Sequence, residues 1–255
     1  MPRDKDTGEP DAGKLCTSGS EGGRRKRSER NLAGGLPYPT GTVTFLFTDI
    51  EGSTRLWEQH SAVMAAVVAR HDALLMGCIQ QQDGVVVKSR GEGDSLFAVF
   101  ARATDAVAAA AALQQTLPAE PWPLPAPLRV RVALHTGEAE LREGDYYGAA
   151  LNRCTRLRAA AHGGQVLLSL PTQELVRDHL PPGISLRDLG ECRLKDLVRP
   201  ERVFQLLHPD LPAEFPPLRT LDAYANNLPA QPTPLLGRER EVAAGRRLLC
   251  QEAVR

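Results

Sequence analysis

Two aspartates stand where a chain can present carboxylates to a ligand. Asp49 follows the apolar, β-branched and aromatic run Thr42–Phe47, and Asp94 opens the run Asp94–Phe100. If these runs are neighbouring strands, both carboxylates meet at one end of a sheet. Such a pair suits magnesium, a hard ion that takes oxygen ligands and shares its shell with phosphates. Taken singly, each is also an ordinary turn aspartate. After Asp49 the turn Ile50–Thr54 leads from strand to helix and aims backbone N–H groups outward, a natural cradle for phosphate oxygens. It has neither the lysine nor the glycine spacing of a P-loop. Asn152 and Arg156 lie four apart on a helical stretch and share a face, offering an amide and a guanidinium for phosphate. A surface polar pair has the same appearance.

The elements that must carry these groups are legible from periodicity. Thr42–Phe47 reads as a buried strand, with Ser53 or Thr54 as N-cap of the next helix. Apolar positions from Leu56 to Ile79 then track one face of a long helix, and His60 and His71 lie on that stripe as packed histidines rather than metal ligands. Asp83-Gly84 is a turn signal; Val85–Lys88, the Gly-rich Ser89–Gly93 and Asp94–Phe100 read as a β-hairpin with a roomy tip. An Ala-rich helix over Thr104–Leu117, a Pro-rich loop and the strand Leu128–Leu134 complete a β-α-β-β-α-β order, which predicts an α+β, ferredoxin-like core. A helix over Ala149–Ala161, a strand at Gln165–Ser169 and smaller elements extend it.

Charge and composition narrow the function classes. The 31 Lys and Arg balance 31 Asp and Glu, so no global charge favours nucleic acid or a membrane surface. Five scattered cysteines have neither zinc nor disulfide spacing and fit a reducing, cytoplasmic setting. No run is read as a membrane span. Residues 1–38 have almost no large apolar groups and read as a disordered leader, whose basic run Arg24–Arg27 is a solvated cluster. A folded domain over 39–208, a Pro-rich linker over 209–236 and the start of a further region over 237–255 complete the expected organisation.

Three blocks in order, Phe45–Thr54, Arg131–Gly137 and Asp145–Leu157, resemble the class III adenylate and guanylate cyclases, especially bacterial members in which the cyclase precedes a signalling ATPase. The resemblance spans Gly41 to about His208, and the tail Asn226–Glu239 is similar to the entry of such an ATPase. It implies conversion of ATP to 3′,5′-cyclic AMP and pyrophosphate. Asp49, Asp94 and the Ile50 carbonyl would hold two Mg2+ or Mn2+ ions, and Gly52, Ser53 and Thr54, with Arg131 and Lys195, would meet the phosphates. Lys88 and Asp145 would read the base, the Asp favouring ATP over GTP. Asn152 would place the ribose, and Arg156 would offset charge at the reacting phosphate. In that family the two sets come from different subunits, so a homodimer with shared sites is implied.

One segment departs from the family pattern. Members carry Lys-Thr-x-Gly-Asp across the hairpin, whereas Lys88 to Asp94 is two residues longer. Anchoring on the strand before it selects Lys88 as base reader, and anchoring on the strand after it selects Arg90; Glu92 competes with Asp94 only in the first case. This leaves a second reading, a silent cyclase-like module that dimerises or binds nucleotide and regulates a C-terminal ATPase or transcriptional regulator. A third, a DNA-binding regulator using the arginines, lacks both a helix-turn-helix pattern and net positive charge.

Overall fold

The computed structural model describes residues 38–87 and 94–220, together with Arg240, Glu241, Ala243, Ala244 and Arg247. The leader, the hairpin tip with Lys88, Arg90 and Glu92, and most of the expected tail lie outside the described residues.

The core forms in the expected order. Strand β1 (Gly41–Ile50), helix α1 (Ser53–Gln81), strands β2 (Val85–Val87) and β3 (Phe97–Phe100), helix α2 (Ala103–Ala119) and strand β4 (Val130–Arg142) come first. Next come β5 (Asp145–Tyr147), α3 (Ala149–Ala160), β6 (Val166–Ser169), α4 (Leu170–Val176), β7 (Ser185–Cys192) and β8 (Glu201–Leu207). The sheet order is β2-β3-β1-β4-β6-β8-β7, with β5 paired to β4. Its first four strands are antiparallel neighbours in the ferredoxin-like arrangement, and the parallel β4–β6 pair extends the sheet.

Strand alternation divides the interior in two. Leu46 and Ile50 of β1 pack with Met64, Leu75 and Ile79 of α1 and Leu113 and Leu117 of α2. Val43 and Phe45, one residue out of phase, pack on the opposite face with Cys154 and Leu157 of α3. Asp49 shares the parity of Phe45, and its cross-strand neighbour is Arg131, so both point to the α3 face. The register that buries Phe45 therefore also aims Asp49, and a slip of one residue would send its carboxylate into the α1 side.

Several expectations are corrected. Helix α1 has Gly52 as N-cap, in left-handed conformation at φ 72°, and no side chain of the described residues caps it, so neither Ser53 nor Thr54 plays that part. The helix also kinks at His60. Strand β3 begins at Phe97, not Asp94, because the preceding residues bond to β1 through side chains as well: Ser95 Oγ donates to the Thr48 carbonyl at 3.0 Å and Leu96 N–H to Thr48 Oγ1 at 3.2 Å. Strand β4 runs to Arg142, eight residues past the expected end at Leu134, in a hairpin with β5. Helix α1 does contain a stretch long and apolar enough to cross a membrane by length and composition alone; here Met64, Val67, Leu75 and Ile79 are inside the fold.

The first part of the segment expected as linker lies against the domain as a strap. Leu218 is buried in the α3-side core, Arg219 N–H donates to the Ala160 carbonyl at 3.0 Å, and the Arg219 guanidinium reaches Glu51 Oε1 at 2.7 Å.

Candidate active site

The antiparallel count that sets Phe47 opposite Phe97 brings Asp94 and Ser95 beside the end of β1. Asp94 is thus close enough that its charge acts on Asp49. Burial is the main influence on Asp49 and pushes its carboxyl up; Arg131 and Arg158 pull it down without cancelling that rise. Arg131 forms an ion pair with Asp49 across the β1–β4 ladder. Asp94 Oδ2 is buried and has no hydrogen-bond partner among the described residues. A carboxylate oxygen left this way costs free energy unless a cation meets it. Among the described residues no three His, Cys, Asp or Glu side chains converge as a metal cage. Two carboxylates with one open oxygen instead fit an ion that takes much of its shell from phosphates and water.

The turn after Asp49 is braced from beneath. Glu51 lies 3.7 Å from Arg129 and 2.7 Å from Arg219. Burial pushes its carboxyl up, but the Gly163 amide and these two arginines outweigh that and hold it below the usual range. Gly52 and Thr54 are exposed and Ser53 half-buried, so the first turn of α1 is open to an anion, with N–H groups that no described side chain occupies. A cleft of about 850 Å³ opens behind this turn, lined among others by Gly52, Arg55, Arg129 and Arg219.

Helix α3 holds the second set of residues. Its inward stripe Ala150, Cys154, Leu157 and Arg158 is buried. Cys154 Sγ points to the Phe45 and Ala133 carbonyls, and burial pushes its thiol up, which keeps it an inert core group. Asn152 and Arg156 fall on the outward side, where they line a cleft of about 420 Å³ with Asp196, Leu197 and Arg199. Arg156 Nη2 pairs with Asp196 at 2.7 Å. Lys195, next to Asp196, is exposed on the same loop. Asp145 starts β5, where its Oδ1 accepts from the Tyr146 N–H at 2.8 Å, and it does not line this cleft. One chain therefore gathers Asp49, Asp94 and Arg131 at one place and Asn152 and Arg156 at another.

The sequence reading missed Arg158. Its Nη1 donates to Ser95 Oγ at 2.5 Å and to the Thr48 carbonyl at 3.3 Å, and its guanidinium lies 5.9 Å from the centre of the Phe47 ring. The available signal was its spacing, since Ala150, Cys154 and Arg158 are four apart and share the buried face.

Residues 37–207 match the adenylate and guanylate cyclase catalytic domain. An uncharacterised Mycobacterium tuberculosis protein is 46% identical over 206 residues, covering 80% of this chain and 70% of that protein. An adenylate cyclase of Podospora anserina is 28% identical over 251 residues, covering 73% of this chain but 12% of that protein. Among solved structures, an adenylate cyclase of Trypanosoma brucei in its monomeric state superposes with a TM-score of 0.63 at 27% identity, covering 71% of this chain and 95% of that one. The strand order, the paired aspartates and the span of this match agree, and the chain belongs to the class III adenylate and guanylate cyclase catalytic domain family.

Proposed function

We propose that this chain is an adenylate cyclase that converts ATP to 3′,5′-cyclic AMP and pyrophosphate in sites shared by two copies of the domain. The observation that carries the reading is the buried Oδ2 of Asp94, unpartnered among the described residues, beside Asp49. Asp49, Asp94 and the Ile50 carbonyl would hold two Mg2+ or Mn2+ ions. Bound there, the ions ease removal of the ribose 3′-hydroxyl proton and offset charge on the α-phosphate.

The protein groups have separate tasks. Arg131 exchanges its contact with Asp49 for the terminal phosphates, which the amides of Gly52, Ser53 and Thr54 also receive. From the partner copy, Asp145 accepts from the adenine amino group, Asn152 holds the ribose, Arg156 faces the α-phosphate and Lys195 adds positive charge. The 3′-oxygen forms its bond to the α-phosphorus as the bond to pyrophosphate breaks, and the hydroxyl proton passes to solvent. The separation of Asn152 and Arg156 from Asp49 and Asp94 within one chain supports a homodimer in which each site draws on both copies. Lys88 as a further base reader lies outside the described residues.

The test is to incubate the purified chain with ATP or GTP and Mn2+ or Mg2+ and to separate the products by chromatography. Cyclic AMP from ATP is expected. Asp49→Ala should cut turnover about a thousandfold, the scale of several kcal/mol of lost charge stabilisation. No cyclic product from a folded dimer under any combination would sink the reading in favour of a silent nucleotide-binding module.

A further inference from the structure

We propose that Arg158 is a fixed counter-cation of the Asp49–Asp94 pair, one that disfavours divalent ions in that half of the site until the phosphates of a nucleotide arrive with them. The inference rests on the metal role of the two aspartates given above. The charges of Arg131, Arg158 and Asp94 all act on the Asp49 carboxylate, and the two residues that Arg158 bonds, Thr48 and Ser95, are the chain neighbours of the two aspartates. Among the described residues these two guanidiniums offset part of the carboxylates' charge, so they oppose a divalent ion that enters alone. The two arginines differ in what they can do next. Arg131 reaches the pair from a strand end, with 19% of its side chain exposed, and can turn to the phosphates. Arg158 is 8% exposed, donates to Ser95 Oγ and the Thr48 carbonyl, and lies against the Phe47 ring, which is itself stacked on Phe97 at 4.5 Å. These contacts hold it in place, and a guanidinium does not lose its proton. Its positive charge therefore remains when ions enter. The negative charge of a triphosphate offsets that repulsion, which ties ion occupancy to nucleotide.

The same helix bears Asn152 and Arg156 on its outer side, so α3 acts on the ion half of its own copy through Arg158. It is a positioning residue, acting through charge on Asp49 and Asp94 and not through contact with reacting atoms.

The test is direct Mn2+ binding to the full chain without nucleotide, with free Mn2+ followed by electron paramagnetic resonance. Arg158→Met should bind Mn2+ about tenfold more tightly than the native chain, because a repelling charge has been removed. Arg158→Lys should bind like the native chain, since the charge is retained. Adding Asp49→Asn to Arg158→Met should abolish the gain and place it at the acidic pair. Thermal unfolding without metal checks that each variant is folded; if Arg158→Met is not, Arg158→Gln, which keeps donors for Ser95 and Thr48, is measured with the same expectation. Equal or weaker binding by the folded neutral variant, or tighter binding by Arg158→Lys, would overturn the proposal. Tighter binding without any cyclic product would uphold this inference and defeat the cyclase reading, and the reverse pattern would do the opposite.

Discussion

The two polar regions of the domain are built in opposite ways. Asp49, Asp94, Arg131 and Arg158 are held by the β1–β3–β4 register and by α3, partly or wholly buried. Asn152 and Arg156 sit on an open helix face, with Arg156 pairing Asp196 at side-chain exposures of 37% and 56%. The first region is assembled within one chain. The second is an open polar surface. In the proposed function, preorganised charge acts in the first, and geometry supplied by a second copy would act in the other.

The largest expected effect in the open region is on turnover. Arg156→Ala should lower it by about 100- to 1000-fold, the range for loss of one preorganised donor at developing charge, with an unchanged melting temperature. A drop in melting temperature of more than a few degrees would break the contrast, because Arg156 would then be structural. Mixing inactive Asp49→Ala and Arg156→Ala chains sharpens it further. Random pairing leaves one intact shared site in the mixed dimers, so about a quarter of native activity should return. No recovery from demonstrated mixed dimers would refute shared sites.

A stability effect is expected from the buried side of the same sheet. His135 is 5% exposed and shares a 2.8 Å hydrogen bond with Ser169 Oγ. Burial, with a smaller push from Arg153, lowers its pKa from 6.5 to about 4. The unfolded chain thus takes up a proton that the folded chain refuses. Stability from this group is complete above pH 6.5, falls as the pH drops toward 4 and then levels, for a total of about 3 kcal/mol. Denaturant titrations at stepped pH should trace this loss, and His135→Gln should flatten it. The smallest effect belongs to the exposed cleft: Asp196→Ala should shift stability by about 0.5 kcal/mol or less, because exposed ion pairs contribute little. A larger loss would mean that the cleft is more rigid than its exposure indicates.

Much of the architecture was legible in the sequence because local signals agreed. The β-branched run ahead of Asp49, the Asp83-Gly84 turn and the Ala-rich helix each match the element that forms. The meeting of Asp49 with Asp94 also came from strand order. The misses share a cause, since each depended on tertiary context. Charged Glu138, Glu140 and Arg142 hid the outer half of β4, where they fill the exposed positions while Ala139 and Leu141 pack against the α3-side core. Prolines at 209, 212, 216 and 217 gave the look of a linker, although Leu218 and Arg219 beyond them find partners in the fold. Arg158 was hidden by its type. An arginine among Arg153, Arg156 and Arg158 reads as helix surface, and only the buried neighbours at positions 150 and 154 reveal which way it points.

The strap has a practical consequence for where this domain can be cut. The family match stops at residue 207, yet the chain from Pro216 to Thr220 plugs the α3-side core with Leu218 and clamps Glu51, two residues beyond Asp49. A fragment ending at Leu207 would keep every strand while opening a greasy slot and unpinning the turn next to the first aspartate. Such a fragment would fold around a loosened turn, and a weak activity from it would report the missing strap rather than the chemistry of the proposed site.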